Sequence, residues 1–331
     1  EISACLVGSE MCIRDRFENG APRPGGFTMR ESCESSPFGV ATATWAKIWR
    51  DGWLWPIVLA LCLIPGLGVA LWIDLKDRDV AALLGYAAGW SVLLAPLALV
   101  VASTFSLGVI AGPALLVAGA IASLARLRPT RVGETPARLD ALGNKITSSS
   151  RWVHLSRRIT GSSLVALIGT IGAVAVRLAI ARDLVLPMWV DSVQHSYIVK
   201  LIVDGGRVPA TYGAAMPTEP FDYHFGFHAI AAFGAWLAAS PIPASVLASG
   251  QVLGFLIPLA VYALGRDLTG SSRAAAVAAL LVGVVTTQPT YYVTWGRYPE
   301  LAGLVALPAG FAALRGAMEK TPSFGTIGPA V

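Results

Sequence analysis

The chain has 331 residues, of which 55% are hydrophobic and only 14% charged, and its mean hydropathy is +0.63. A soluble domain carries about 25% charged residues, so composition excludes an ordinary soluble fold and points to an integral membrane protein. The formal charge of +5 does not imply nucleic acid, because the basic residues gather between apolar segments, a pattern of membrane topology.

The first 50 residues stand apart. Leu6-Val-Gly-Ser-Glu-Met-Cys-Ile-Arg-Asp15 resembles a sequencing adapter translated in one frame, so a non-native start is expected, with Met29 as one candidate for the true first residue. Residues 17–50, rich in Gly, Pro, Ser and charge, predict no packed element. Cys5 and Cys12 fall in this region, Cys33 is isolated and Cys62 lies in an apolar run. Neither a disulfide framework nor a metal spacing follows.

A helix crossing a bilayer needs about 20 apolar residues. Gly52 to Ile73 is free of charge and fits one span, with Trp53 and Trp55 as interfacial anchors. Val80 to Ala125 is also uncharged and long enough for two spans, turning near Ser103-Thr-Phe. Residues 126–160 carry eight basic groups (Arg126, Arg128, Arg131, Arg138, Lys145, Arg151, Arg157, Arg158) against Glu134 and Asp140. The positive-inside rule makes this loop cytoplasmic.

Gly161 to Ala181 predicts an outward span with Arg177 snorkelling to the headgroups. The loop 182–223 that follows is acidic, with Asp183, Asp191, Asp204, Glu219 and Asp222 against Arg182, Lys200 and Arg207, and is expected outside. Phe225 to Ser240 is apolar but short and reads as an interfacial or half-penetrating helix, not a full span. Pro243 to Leu264, Ala274 to Val293 and Leu301 to Leu314 complete about seven spans. With the short segment not crossing, Arg266, Arg273, Arg315 and Lys320 are all cytoplasmic; Lys47 and Arg50, placed outside, are the one misfit. The expected fold is an all-α polytopic transmembrane bundle. Its divisions are a non-native and disordered start (1–50), a three-span N-terminal extension (51–126), a basic loop (127–160), a membrane module (161–320) and a tail (321–331) read as a second truncation.

This topology brings Pro187-Met-Trp-Val-Asp191-Ser-Val-Gln-His195 and Thr294-Trp-Gly-Arg297-Tyr-Pro-Glu300 to the same outer boundary. Asp191 there can accept a proton from a hydroxyl or cap the helix that follows it; the two roles are compatible. His195, one turn along, can orient that carboxylate or contact a phosphate, or simply sit at headgroup level. Tyr223-His224-Phe-Gly-Phe-His228 sets two histidines at an i,i+4 spacing that suits zinc, but no third ligand is evident, so an anionic head or sugar hydroxyl is the better functional reading. Arg297 suits a phosphate, unless it only pairs with Glu300.

Together these residues and their order resemble the polytopic GT-C-type membrane glycosyltransferases, which include protein mannosyltransferases and lipid-A aminoarabinose transferases. The similarity covers residues 161–316. Pro187-Met-Trp-Val-Asp191 is similar to the approach to the catalytic loop, Arg266–Arg273 to the inner turn and Arg297/Glu300 to the second outer loop. The resemblance implies transfer of a sugar from a polyprenyl-phosphate donor to a lipid, glycan or protein acceptor on the extracytoplasmic face of a prokaryotic plasma membrane. It makes Asp191 the general base or acceptor-orienting carboxylate and has Arg297 hold the donor phosphate; from the residues themselves, His195, His224, His228 and Glu300 are expected to bind substrate. No cofactor is indicated, although a divalent cation would be compatible. The rival readings are a transporter or lipid flippase and a non-catalytic scaffold.

Overall fold

Lipid offers a backbone no hydrogen-bond partners, so long apolar segments must close their own bonds as helices. A computed structural model describes residues 17–18, 21–22, 52–72, 78–107, 110–125, 159–181, 184 and 186–320. Its helices are α1 (Leu54–Trp72), α2 (Val80–Thr104), α3 (Ala111–Ala125), α4 (Gly161–Ala181), α5 (Trp189–Gly205), α6 (Gly226–Ala238), α7 (Ile242–Thr269), α8 (Ser272–Leu280), α9 (Thr290–Thr294) and α10 (Tyr298–Lys320). A two-residue hairpin, β1 (Phe17–Glu18) with β2 (Ala21–Pro22), lies in the stretch expected to hold no packed element. Expectations for the rest of residues 1–50, for 126–158 and for the tail lie outside the described residues.

The all-α polytopic bundle is as the sequence predicts. Five helices, α1, α2, α4, α7 and α10, are long and apolar enough to cross a membrane. The other two expected spans are shorter. α3 has 15 residues, about 22 Å at 1.5 Å per residue against a hydrocarbon core of about 30 Å. α8 has nine residues and continues as a five-residue π-helical turn, Leu281–Val285. The reason it stops is local: Pro289 has no N–H to give and disfavours helix in the residue before it.

α7 is the axis of the bundle, with most of its length buried, while α4 and α10 present most of their surface outward. Around α7 pack α1, α2, α4, α5, α6, α8 and α10. The N-terminal spans are therefore not a detachable extension: α2 lies directly against α6, α7 and α10. α6 corrects one expectation. Phe227 through Ala235 are all buried, so this helix packs inside the bundle and does not lie along its outside. Apart from His228, whose ring meets His195, the Gly/Ala/Phe-rich sequence has no polar face to show to water.

The bundle has two polar ends. At one, Arg78-Asp79 ahead of α2 meets Arg266-Asp267 at the end of α7 in crossed pairs. Arg266 bonds Asp79 at 2.7 Å, and Arg78 bonds Asp267. Tyr262 donates to Asp79 at 2.7 Å and Tyr86 donates to Asp267, with Arg315 at 3.8 Å from Asp267. Asp79 also caps α2, accepting from the Ala82 N–H at 3.1 Å. The other end begins about 26 Å along α7, at Gly250, by the helical rise. There Tyr298, the first residue of α10, lies so close that a Cβ on Gly250 would stand 2.3 Å from its ring. The two ends are thus about one hydrocarbon thickness apart.

Candidate functional site

The second end collects the polar residues singled out in the sequence. α5 starts at Trp189 with Met188 in the capping position and no side-chain cap, so Asp191 is not the N-cap but stands in the first turn. That location still suits a carboxylate, because the exposed N–H groups of a helix start favour negative charge. The Trp189 backbone has φ 68°, an uncommon conformation for a bulky residue, and Trp189 and Val190 project outward.

Asp191 meets Arg297 across the two loops, Oδ2 to Nε, at 3.8 Å. Arg297 also reaches Glu300 at 3.4 Å and lies over the Trp295 ring, 4.0 Å from its centroid. The three charged side chains are about two-fifths exposed, so their outer atoms are open to water and to a ligand, while Arg297 Nε is buried and makes no hydrogen bond among the described residues. Gly296 permits this approach. Its φ is 74°, and a Cβ there would stand 2.3 Å from Ser192 Oγ and 2.8 Å from the Met188 carbonyl oxygen. Gly296→Ala is expected to cost about 1–3 kcal/mol through backbone strain alone, read as a lower thermal midpoint in detergent; an unchanged midpoint would show that the loop is not held here.

Beneath the charges lies an aromatic and imidazole layer. His195 is 4% exposed and His228 fully buried, and His195 Nδ1 stands 3.0 Å from His228 Nε2. Phe227 meets His195 edge-on at 5.9 Å, with Tyr223 and Tyr298 at 6.2 and 6.4 Å. A neutral pair satisfies the contact with one N–H, whichever ring carries it. Burial pushes His195 down to about 4, only partly opposed by the Asp191 charge.

Stability follows from that shift. Between pH about 6.5 and 4 the unfolded chain takes up a proton that folded His195 refuses, so stability falls as pH falls through this window and is fully present above it. The slope is at most about 1.4 kcal/mol per pH unit. His195→Gln is expected to flatten this part of the acid limb in a melt-versus-pH series, and an unaltered slope would remove His195 as its source.

The i,i+4 pair His224/His228 does not share a face. α6 begins only at Gly226, so His224 precedes the helix; it is exposed and stacks on Tyr223, ring centroids 4.1 Å apart. Among the described residues no three His, Cys, Asp or Glu come together to hold a metal. Arg177 also differs from expectation. It does not snorkel outward but is 2% exposed, its stem beside Gly254 on α7.

Sequence reasoning gave no role to Tyr223, Ser192, Trp295 or Tyr298. Burial raises the Tyr223 hydroxyl's pKa, helped by the charges of Glu300 and Asp191 and opposed by Arg297, so the hydroxyl lies within electrostatic reach of all three. The loop that carries it is itself ordered: Thr211 and Pro220 form a bridge, Tyr197 donates to the Tyr212 carbonyl at 2.7 Å and Tyr212 donates to Asp222 at 2.8 Å. Asp204 is taken by Lys200 at 2.6 Å. Asp191, in the first turn of α5, meets Arg297 instead.

In comparisons with known proteins, residues 59–326 match a family described as a family of unknown function, DUF6541. No curated protein and no solved structure matches the chain.

Proposed function

We propose, for a chain that belongs to the DUF6541 family, itself of unknown function, a membrane glycosyltransferase working at the Asp191–Arg297 end. The observation that carries this reading is the meeting, at 3.8 Å, of a carboxylate from the first turn of α5 and a guanidinium from the segment before α10, each side chain about two-fifths exposed. That separation is longer than a hydrogen bond of roughly 2.7–3.2 Å. It leaves lone pairs on Asp191 for an acceptor hydroxyl and N–H groups on Arg297 for a phosphate.

In the proposed step the acceptor oxygen attacks the anomeric carbon of a polyprenyl-phosphate sugar. Its proton passes to Asp191, and the C–O bond to the phosphate breaks, with the electron pair leaving on the phosphate. Protonation of Asp191 removes one of the two anions that hold Arg297, just as the leaving phosphate needs a cation. Trp295 fixes the guanidinium plane, and Tyr223 and His224 offer a ring surface and hydroxyl for sugar. His195 and His228, being buried, support the floor of the site and do not grip substrate directly.

The extracytoplasmic face is the sidedness that charge favours. Arg78, Arg266, Arg273 and Arg315 belong to the opposite end, where α4 also starts with Thr160 beside Tyr262, and basic residues stay in the cytoplasm. The test is sugar transfer from polyprenyl-phosphate donors in membranes holding the wild-type chain or Asp191→Asn. Equal transfer by both would sink the catalytic role of Asp191. Movement of lipid across the membrane without transfer would favour a flippase instead.

A further inference from the structure

Away from the site, a groove of about 480 Å³ runs between α2, α7 and α10. Its walls are Leu93 from α2, Leu264 and Leu268 from α7, and Leu307, Phe311 and Leu314 from α10. Gly303 and Gly310 share one face of α10 with Leu307 and Leu314, at helical spacings. A Cβ added to either glycine would meet nothing within 4 Å, so the glycines are not needed for helix packing; they leave the groove open. From Gly303 to Leu314 the helical rise gives about 17 Å, close to half of a hydrocarbon core of about 30 Å. The groove is therefore one leaflet deep.

Its two ends differ in charge. One turn beyond Gly303 stand Glu300, Arg297 and Asp191, two carboxylates against one cation. Next to Leu314 stands Arg315, its side chain 46% exposed and 3.8 Å from Asp267; among the described side chains this end carries Arg78, Arg266, Arg273 and Arg315 against Asp79 and Asp267, and Glu319 and Lys320 add one charge of each sign in the sequence. For a lipid lying in the groove, an anionic headgroup is therefore better matched by the second end, where cations outnumber carboxylates.

We infer that the groove between α2, α7 and α10 seats one acyl chain of an anionic phospholipid from the leaflet on the Arg315 side, with its phosphate at Arg315. Depth selects a single-leaflet chain over a helix that must cross the whole bilayer, and charge selects the leaflet. The site is separate from Asp191 and independent of any sugar transfer.

The experiment is native mass spectrometry of the purified full chain exchanged with phosphatidylglycerol or phosphatidylcholine in detergent. The wild-type chain is expected to retain phosphatidylglycerol about fivefold better, the equivalent of roughly 1 kcal/mol per basic residue at a membrane surface. Arg315→Gln should bring the two lipids to parity. Gly303→Leu and Gly310→Leu, which fill open space, should reduce retention of both lipids at an unchanged thermal midpoint. Equal retention of both lipids by the wild-type chain would mean annular lipid only and overturn the inference. So would undiminished phosphatidylglycerol retention in the two leucine variants, or a change in their oligomeric mass alone, which would assign the groove to a second copy of the chain.

Discussion

Asp191→Asn is expected to lower sugar transfer by about 10²–10⁴-fold, the usual contribution of a positioned general base, while leaving the fold intact. The substitution keeps shape and removes charge. Asp191 is not a helix cap and is about two-fifths exposed, so neither a lost cap bond nor an emptied core explains a loss of activity. The ion pair with Arg297 is long and its two side chains are about two-fifths exposed, so it is worth at most about 1 kcal/mol and the thermal midpoint should move little. Arg297→Lys gives the matching result for the donor side: it keeps the charge but loses the planar fork and the stacking on Trp295, and should raise KM for the donor more than it lowers kcat. A variant that melts early and loses activity in proportion would instead place Asp191 among structural residues.

The second large effect lies at the opposite end. Asp79→Ala is expected to destabilise the bundle by about 3–5 kcal/mol, the range for breaking a buried pair and stranding its partner. Asp79 holds the Arg266 guanidinium, the Tyr262 hydroxyl and the Ala82 N–H. Asp267→Ala strands Arg78 and Tyr86 but removes no cap, so it should cost less by about the 1 kcal/mol of an N-cap. Equilibrium unfolding in mixed micelles measures both. Because the pairs cross, double-mutant cycles should give coupling of about 0.5–3 kcal/mol for Asp79 with Arg266 and for Arg78 with Asp267. Comparable coupling for Asp79 with Arg78 would refute the crossed arrangement.

The sequence made the apolar helices legible, though not which of them are long enough to span, because membrane insertion is close to a local sum: a charge-free run such as Val80–Ala125 has few ways to fold in lipid. It also showed which end of each span carries charge, and so predicted that the loops of Asp191 and Arg297 share a boundary. Asp79 and Asp267 passed unremarked because, as short polar breaks between apolar runs, they look like any loop charge until their partners are known. α6 was legible as too short to span, but its burial was not, since an apolar helix suits a surface, a lipid or a core equally well.

What the sequence alone determined is the class, the number and approximate limits of the apolar helices, and the polar segments at their ends. These depend on transfer free energy, which each residue carries with it. Only the tertiary structure decided the meeting of Asp191 and Arg297 at 3.8 Å, the His195–His228 contact, the inward turn of Arg177 and the crossed Arg-Asp pairs. Each depends on which helix face meets which. In lipid, hydrophobicity does not distinguish a face turned to a neighbouring helix from one turned to an acyl chain; close packing and scarce polar partners do.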